Sequence, residues 1–171
     1  MSDFSDCLRD IKDFPKPGIL FKDISPLFTK PEKFSELIDL MSKTEEAQKA
    51  EAFVGIDARG FIFASALSQK MNKPMIMARK AGKLPGDVVA QVYSLEYGEA
   101  TVEMHSDALD EVKKVLVIDD VLATGGTAKA VGDLVKKLGG EITGYLFFAE
   151  LKFLDGRQLL ATDNVKSFIE F

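Results

Sequence analysis

The chain has 171 residues, 46% hydrophobic and 29% charged, which is enough to bury the core of one compact domain. No run approaches the roughly 20 apolar residues that a membrane span requires. The net charge of -5 disfavours a general nucleic-acid-binding protein, because such proteins usually present a basic surface to phosphates. We therefore expect a single domain over residues 1–171 that binds neither a membrane nor a nucleic acid.

Two features predict a cytoplasmic location. The opening residues MSDFSDCLRD carry acids where a signal peptide carries basic residues followed by an apolar run. The single cysteine, Cys7, has no internal partner for a disulfide, which agrees with a reducing compartment.

The single histidine, His105, has no second histidine or cysteine pair nearby, so we expect it to be structural rather than a transition-metal ligand.

Four short apolar runs predict strands that are buried on both faces of a sheet. They lie at residues 52–56, 75–78, 115–118 and 145–149. Apolar residues at helical spacing form two further faces, Phe34, Leu37, Ile38 and Met41 in one and Ala128, Val131, Val135 and Leu138 in the other. This alternation predicts an α/β fold, with a parallel sheet flanked by helices and connected by right-handed crossovers.

The second predicted helix has recognisable ends. Thr127 is expected to be its N-cap, because a threonine hydroxyl accepts a hydrogen bond from a free N–H of the first turn. Gly139 and Gly140 follow its last apolar residue, and glycine readily adopts the positive φ that closes a helix.

Two segments depart from the alternation of strands and helices. The prolines Pro15, Pro17 and Pro26 exclude a long helix from the N-terminal stretch DFPKPGILFKDISPLF, so we expect an ordered, irregular cover there. Residues 88–105 alternate in character on both sides of Tyr97-Gly98, which predicts a β-hairpin. A hairpin that projects from a parallel sheet can act as a flap.

The most informative stretch is VLVIDDVLATGGTAKAV, residues 115–131. An apolar strand ends in Asp119 and Asp120, and the Thr-Gly-Gly-Thr turn at 124–127 opens directly into a helix. Ligands of parallel sheets bind beyond the carboxyl ends of the strands, where a helix N-terminus offers free N–H groups and the positive end of its dipole. The stretch therefore predicts a phosphate monoester at 124–127, with the aspartates positioned for a sugar and a hydrated magnesium ion.

An ordinary strand-to-helix connection also explains a lone Gly-Gly pair. The complete stretch lacks the Gly-Lys-Ser/Thr ending of a P-loop and the three spaced glycines of a dinucleotide fingerprint. The acidic pair and the Thr-Gly-Gly-Thr turn together favour a sugar-phosphate site.

The strand, acidic pair and loop of residues 115–127 resemble the signature of the type I phosphoribosyltransferases. Further stretches resemble the adenine-specific branch of that family: FPKPGILFKDISPL (14–27), GIDARGFIF (55–63), RKAGKLPG (79–86) and YSLEYG (93–98). The resemblance covers most of the chain in order. It implies a parallel sheet flanked by helices, with an N-terminal hood at about residues 1–28 and a β-hairpin flap at about 82–106.

The resemblance also implies an activity, which is transfer of the 5-phosphoribosyl group from phosphoribosyl diphosphate to adenine, giving AMP and pyrophosphate. The matching phosphoribosyl-binding residues are Asp119, Asp120, Ala123, Thr124, Gly125, Gly126 and Thr127. The matching pyrophosphate-binding residues are Asp57, Ala58, Arg59, Gly60, Arg79, Lys80 and Lys83, and the matching adenine-binding residues are Leu20, Phe21, Lys22 and Leu151.

Three residues match the catalytic groups of the family. Glu96 matches the acid/base group that exchanges a proton with purine N7, and Tyr97 matches the aromatic residue that closes over the site. Arg59 matches a residue that grips pyrophosphate and also reaches the purine edge. The resemblance further implies Mg2+ held mainly by substrate and water, without direct protein ligands, and a homodimer.

Three alternatives stay open at this point. One alternative is a phosphoribosyltransferase for hypoxanthine, guanine, xanthine or orotate, and only the hood and Leu151 argue against it. A regulatory protein that kept the phosphoribosyl diphosphate pocket would be expected to add a DNA-binding domain or a basic face, and neither is visible. A diphosphokinase that makes phosphoribosyl diphosphate would need a longer chain and an ATP site.

Overall fold

The computed structural model describes residues 3–94 and 98–171 and divides the chain into two compact units, Met1–Leu40 and Met41–Phe171. The first unit contains the antiparallel strands β1 (Arg9–Lys12) and β2 (Leu20–Asp23) and the short helix α1 (Ser25–Phe28). The division falls within helix α2 (Pro31–Ser42). One domain over the whole chain stays a prediction.

The second unit alternates strands and helices, as the apolar runs predict. Its elements are α3 (Glu45–Lys49), β3 (Ala52–Ile56), α4 (Gly60–Met71), β4 (Met75–Lys80), β5 (Val88–Ser94), β6 (Glu99–His105), β7 (Lys114–Leu122), α5 (Gly126–Lys137), β8 (Glu141–Glu150) and β9 (Val165–Glu170). All four predicted strands are confirmed, and three of them extend beyond the predicted apolar runs.

The described strands of the second unit form a seven-stranded sheet in the order β5-β6-β4-β3-β7-β8-β9. Strands β4, β3, β7, β8 and β9 are parallel to one another. Strands β5 and β6 form the predicted antiparallel hairpin, and β6 pairs antiparallel with the end of β4. In the sheet, β4 lies beside β3 on the side away from β7, and β8 lies beside β7 on the side away from β3. The chain therefore moves toward opposite edges of the sheet after β3 and after β7. Right-handed crossovers, the rule for parallel strands, place α4 and α5 on opposite faces of the sheet.

The buried face of α5 matches its predicted apolar stripe. Ala128, Val131 and Val135 are buried against strand residues that include Val54, Val117 and Tyr145. The helix closes as predicted, with Gly139 at φ 77° and the Gly140 N–H donating to the Val135 carbonyl over 2.8 Å. On helix α2, Leu37, Ile38 and Met41 of the predicted face are buried, and Phe34 is partly buried.

The N-terminal stretch is more regular than its prolines suggest. Instead of an irregular cover, it contains the β1-β2 ribbon, in which Arg9 lies opposite Asp23 and Lys12 opposite Leu20. Proline is excluded from a helix interior but tolerated in a first turn, as Pro26 is in α1, and it leaves the flanking residues able to pair as strands.

Asp23 anchors the turn from β2 into α1. Its Oδ1 accepts hydrogen bonds from the Ser25 N–H over 2.9 Å and from the Ser25 hydroxyl over 2.6 Å. Its Oδ2 accepts a hydrogen bond from Arg9 Nε over 2.6 Å. These contacts, chiefly those from Ser25, lower the pKa of Asp23 from 3.8 to about 2.

We predict that the Asp23 carboxylate stays ionised well below its ordinary pKa. Because the folded pKa lies below the unfolded value, its stabilisation is complete above pH 3.8 and is lost as the pH falls toward 2. Carboxyl-carbon NMR should show the Asp23 midpoint rising further in Ser25→Ala than in Arg9→Gln. An Asp23 midpoint of 3.8 in the unmodified chain would contradict this assignment.

Candidate active site

The candidate site lies at the carboxyl ends of β3 and β7, which are adjacent parallel strands with Val54 opposite Val117 and Gly55 opposite Ile118. The segment after β3 leads into α4 and the segment after β7 leads into α5, on opposite faces of the sheet. Such a reversal of strand order opens a crevice in which ligands of open α/β sheets bind.

A cavity of about 280 Å³ occupies this crevice. Its lining includes residues that the sequence analysis assigned to two different ligand groups: Asp57, Ala58, Arg59, Arg79 and Lys80 for pyrophosphate, and Asp119, Asp120 and Thr127 for the sugar phosphate. Ile56, Ala78, Tyr93 and Val102 complete the lining. The structure thus brings members of both predicted groups into one cavity, without Gly60, Lys83 and residues 123–126.

A smaller cavity of about 80 Å³ lies at the start of α5. Its lining comprises Asp119, Val121, Leu122, Ala123, Thr124, Gly125, Gly126, Thr127, Ala128 and Phe147. Gly125 has φ 82°, a left-handed conformation that favours glycine, and α5 begins at the next residue. The first N–H groups of a twelve-residue helix therefore border this cavity, which suits an anion.

The predicted N-cap role of Thr127 is wrong. The cap position is Gly125, without a side-chain cap, and Thr127 lies inside the first turn of α5. The Thr127 hydroxyl instead donates to the Tyr93 hydroxyl over 3.2 Å. The left-handed Gly125 turns the backbone into the helix before Thr127, so the threonine side chain is left directed at the cavity edge.

The acidic pair at the end of β7 has two different environments. Asp120 is buried, and its Oδ2 accepts a hydrogen bond from Arg59 Nε. Asp119 Oδ1 accepts the backbone N–H of Asp120 over 2.9 Å. Burial first, and then the negative charge of Asp120, raise the pKa of Asp119 well above its ordinary range.

Arg79, on the β3 and β4 side of the cavity, is held by a carboxylate and a backbone carbonyl. Arg79 Nε donates to Asp57 Oδ2 over 3.1 Å, and Arg79 Nη1 donates to the Lys83 carbonyl over 3.1 Å. The Arg79 guanidinium also lies 5.8 Å from the centre of the Phe61 ring. Lys80 and Lys83 are exposed, and of these two Lys80 lines the larger cavity. The Asp57-Ala58 peptide bond is cis.

Gly60 begins α4 in direct contact with the end of β7. A Cβ at this position would lie 2.7 Å from the Ile118 carbonyl oxygen and 2.9 Å from Asp119 Oδ1. Any larger residue would therefore separate the pyrophosphate-side loop from the acidic pair.

The predicted adenine residues lie in different units. In the first unit, Leu20 is exposed, the Phe21 ring packs edge-on against Phe14 with centroids 5.1 Å apart, and Lys22 Nζ pairs with Asp10 Oδ1 over 2.7 Å. In the second unit, the Leu151 N–H donates to the Leu122 carbonyl over 2.9 Å. This bond connects the residue after β8 to the strand that carries the acidic pair.

Glu96 and Tyr97 lie outside the described residues, between the ends of β5 and β6. Their catalytic roles stay predictions.

His105, expected to be structural, has its Nε2 3.0 Å from the Pro85 carbonyl oxygen, a contact at the base of the hairpin.

Tyr93 and Val102 line the larger cavity and were missed from the sequence. The alternation of β5 places Tyr93 on the same side as Val89 and Gln91, which are partly buried, and that period is readable in the sequence. Nothing in the sequence shows that this side faces the end of β7.

Within residues 3–94 and 98–171, no group of three or more histidine, cysteine, aspartate or glutamate side chains could hold a metal ion. No helix in the same part of the chain is long and apolar enough to cross a bilayer.

We predict that Gly60→Ala lowers the free energy of unfolding by about 1–3 kcal/mol, because the new methyl group overlaps the end of β7. Urea denaturation measures this change. Gly126→Ala is the matched control, since its Cβ would lie 3.6 Å from the nearest atom, the Ser94 carbonyl oxygen. Equal stability losses in the two variants would show that the contact between Gly60 and the end of β7 does not exclude a methyl group.

Comparison with known proteins agrees with this geometry. Residues 24–152 match the family described as phosphoribosyl transferase domain. The chain is 46% identical over 171 residues to the adenine phosphoribosyltransferase of Myxococcus xanthus, covering 100% of this chain and 93% of the relative.

Solved structures give the same result. The adenine phosphoribosyltransferase of Thermoanaerobacter pseudethanolicus is similar with a TM-score of 0.93 and 40% identity, covering 98% of both chains. The Saccharomyces cerevisiae adenine phosphoribosyltransferase, complexed with an imino-altritol bisphosphate and adenine, has a TM-score of 0.90 and 36% identity, covering 96% of this chain and 95% of that one. From its match to the domain, its full-length identity and its fold, the chain belongs to the adenine phosphoribosyltransferase family.

Proposed function

We propose that this chain is a purine salvage enzyme that transfers the 5-phosphoribosyl group of phosphoribosyl diphosphate to adenine, giving AMP and pyrophosphate. The observation that carries the proposal is the pair of cavities at the ends of β3 and β7, which share Asp119 and Thr127 and together bring the start of α5, the acidic pair and the paired arginines to one place. A substrate with a 5-phosphate, a ribose and a diphosphate needs these three kinds of partner in one place.

The 5-phosphate would bind at Ala123, Thr124, Gly125, Gly126 and Thr127. The backbone N–H groups there are directed by the left-handed Gly125, and the helix dipole adds positive potential. Asp119 and Asp120 would then accept hydrogen bonds from the ribose hydroxyls, because a carboxylate has several acceptor sites.

The diphosphate would bind on the β3 and β4 side, at Asp57, Ala58, Arg59 and Gly60 together with Arg79, Lys80 and Lys83. Arg59 and Arg79 already pair with Asp120 and Asp57, so their guanidinium groups are oriented before the ligand arrives. Planar guanidinium groups suit bidentate contact with phosphoryl oxygens.

A magnesium ion would enter with phosphoribosyl diphosphate. Asp119 and Asp120 supply oxygen acceptors beside the cavity, a donor set that fits an ion keeping most of its waters and bound mainly by substrate. When bound, the ion would offset the negative charge that develops on the departing pyrophosphate.

In the reaction, adenine N9 would form a bond to the anomeric carbon as the bond from that carbon to the pyrophosphate oxygen breaks. The adenine would carry its imidazole proton on N7, which leaves the N9 lone pair free to attack, and Glu96 would take that N7 proton as the new bond forms. Tyr97 and Arg59 would border the base and the leaving group. The β5-β6 hairpin would exclude water, which competes with adenine for an oxocarbenium-like carbon.

Adenine recognition is proposed for Leu20, Phe21 and Lys22 of the first unit and for Leu151. Backbone groups that read the 6-amino group would discriminate against 6-oxo purines, whose donor and acceptor pattern is reversed. The yeast relative was solved with adenine, which supports a base of this class. A homodimer, a cytoplasmic location and the absence of nucleic-acid binding accompany the proposal as predictions.

A base competition assay tests the proposed substrate. The protein is incubated with phosphoribosyl diphosphate, magnesium and equal amounts of adenine, hypoxanthine, guanine and uracil, and the nucleotides are separated chromatographically. We expect AMP alone. IMP or GMP would change the assigned base, and tight binding of phosphoribosyl diphosphate without any product would indicate a regulator.

We predict that Glu96→Gln lowers kcat by about 10²–10⁴-fold, the usual loss when a general acid or base is removed. The affinity for phosphoribosyl diphosphate should change little, because the phosphate and diphosphate contacts remain. Steady-state kinetics with both substrates measures the two effects. Near-normal turnover would remove Glu96 from the mechanism.

A further inference from the structure

The loop of residues 123–127, to which the proposed function assigns the 5-phosphate and which is called the phosphate-binding loop below, is in backbone contact with a distant part of the chain. That part is the 3-10 turn Gly156–Leu159. A Cβ added at Gly156 would overlap the Ala123 carbonyl oxygen and lie 3.0 Å from the Gly125 nitrogen. A Cβ added at Gly125 would in turn overlap the Gly156 carbonyl oxygen. Only glycine at both positions allows the two backbones to lie this close.

The turn is held by a bidentate ion pair. Arg157 Nε donates to Glu150 Oε1 and Arg157 Nη2 donates to Glu150 Oε2, each over 2.6 Å. Arg157 Nη1 donates to the Val165 carbonyl over 2.7 Å, and the Ser167 hydroxyl donates to Glu150 Oε2 over 2.8 Å. The guanidinium therefore connects the turn to the last residue of β8 and to the first residue of β9.

The Glu150 carboxylate is buried, with 3% of its side chain exposed. Burial alone would raise its pKa, but the hydrogen bonds from Arg157 and Ser167 outweigh burial, and the pKa lies below its ordinary value. A buried carboxylate with this many donors has a fixed position, unlike an exposed ion pair. Neither Glu150 nor Arg157 lines the two cavities of the candidate site.

We propose that Glu150, Arg157 and Gly156 form a buttress that positions the phosphate-binding loop. Glu150 fixes Arg157, Arg157 fixes the turn, and Gly156 presses its backbone against Ala123 and Gly125. These are positioning residues, since they act through the loop and not on the substrate. The proposal rests on the proposed function, in which residues 123–127 bind the 5-phosphate.

The first test substitutes Gly156→Ala and uses Gly144→Ala as the matched control. Gly144 lies in β8, and a Cβ there would meet Glu46 Cγ at 2.6 Å and the Asn164 carbonyl oxygen at 2.7 Å, a milder backbone overlap away from the loop. Calorimetry measures binding of ribose 5-phosphate and of pyrophosphate, and kinetics measures KM for phosphoribosyl diphosphate. We expect Gly156→Ala to weaken ribose 5-phosphate binding by about 10- to 100-fold, with pyrophosphate binding nearly unchanged.

The outcomes separate this proposal from the proposed function. If the unmodified protein neither binds ribose 5-phosphate nor makes AMP, the proposed function fails. If the unmodified protein does both, and Gly156→Ala loses no more ribose 5-phosphate affinity than Gly144→Ala, the buttress is refuted.

The second test removes the ion pair stepwise in Arg157→Lys, Arg157→Met and the double variant Glu150→Gln with Arg157→Met. Arg157→Met leaves a buried carboxylate unpaired, so it should lose both stability and ribose 5-phosphate affinity, whereas the double variant should regain stability. We expect its ribose 5-phosphate affinity to stay low, because nothing then holds the turn. Arg157→Lys keeps the charge but loses the bidentate geometry. This variant should therefore fold, but its affinity for ribose 5-phosphate should be lowered.

A merely structural role for the ion pair gives a different pattern. Ribose 5-phosphate affinity would then follow thermal stability across all the variants and recover in the double variant. That recovery, or normal ribose 5-phosphate affinity in Arg157→Lys, would overturn the proposal.

Discussion

The candidate site depends on the divergence of two neighbouring parallel strands. Strands β3 and β7 lie side by side in register, but their helices cover opposite faces of the sheet. The backbone must therefore part at their carboxyl ends, and the crevice between them is a consequence of chain direction before any side chain is considered. β3 then delivers Asp57 and Arg59 to one wall, and β7 delivers Asp119 and Asp120 to the other.

Electrostatics explains how an acidic chain can bind a highly anionic substrate. The net charge of -5 repels phosphates at long range, whereas the cavity collects two arginines and a lysine locally. Each arginine is paired with a carboxylate in the crevice, Arg59 with Asp120 and Arg79 with Asp57. Such pairing lowers the cost of keeping charge in a partly buried site and fixes the guanidinium planes. A phosphorylated ligand would replace part of the contacts that the two arginines make with these aspartates. The charged groups are therefore already in the crevice before the ligand binds.

Much of the fold was readable because its signals are local. The run at 52–56 coincides with β3, and the apolar stripe of α5 is buried as its period requires. The assignment of Thr127 as a cap failed because the left-handed Gly125 starts the helix earlier, a backbone choice that composition does not reveal. The β1-β2 ribbon was missed because strand pairing there depends on partners on the far side of a proline-containing turn. Tyr93 was missed for a related reason, since its position beside Thr127 is set by tertiary packing.

The contact between Gly156 and the loop at residues 123–127 is the clearest case of structure that sequence reading cannot supply. A glycine after a turn has many local explanations, and nothing near Gly156 in the sequence points to Ala123 or Gly125. The contact exists because β8 runs parallel to β7, so that the chain leaving β8 must pass the loop that leaves β7. At that crossing two backbones approach too closely for any Cβ, and the arginine that follows Gly156 is held by the last residue of β8. The geometry of the loop is thus determined partly by the sheet beside it, and the Thr-Gly-Gly-Thr sequence alone does not fully specify the conformation of the loop.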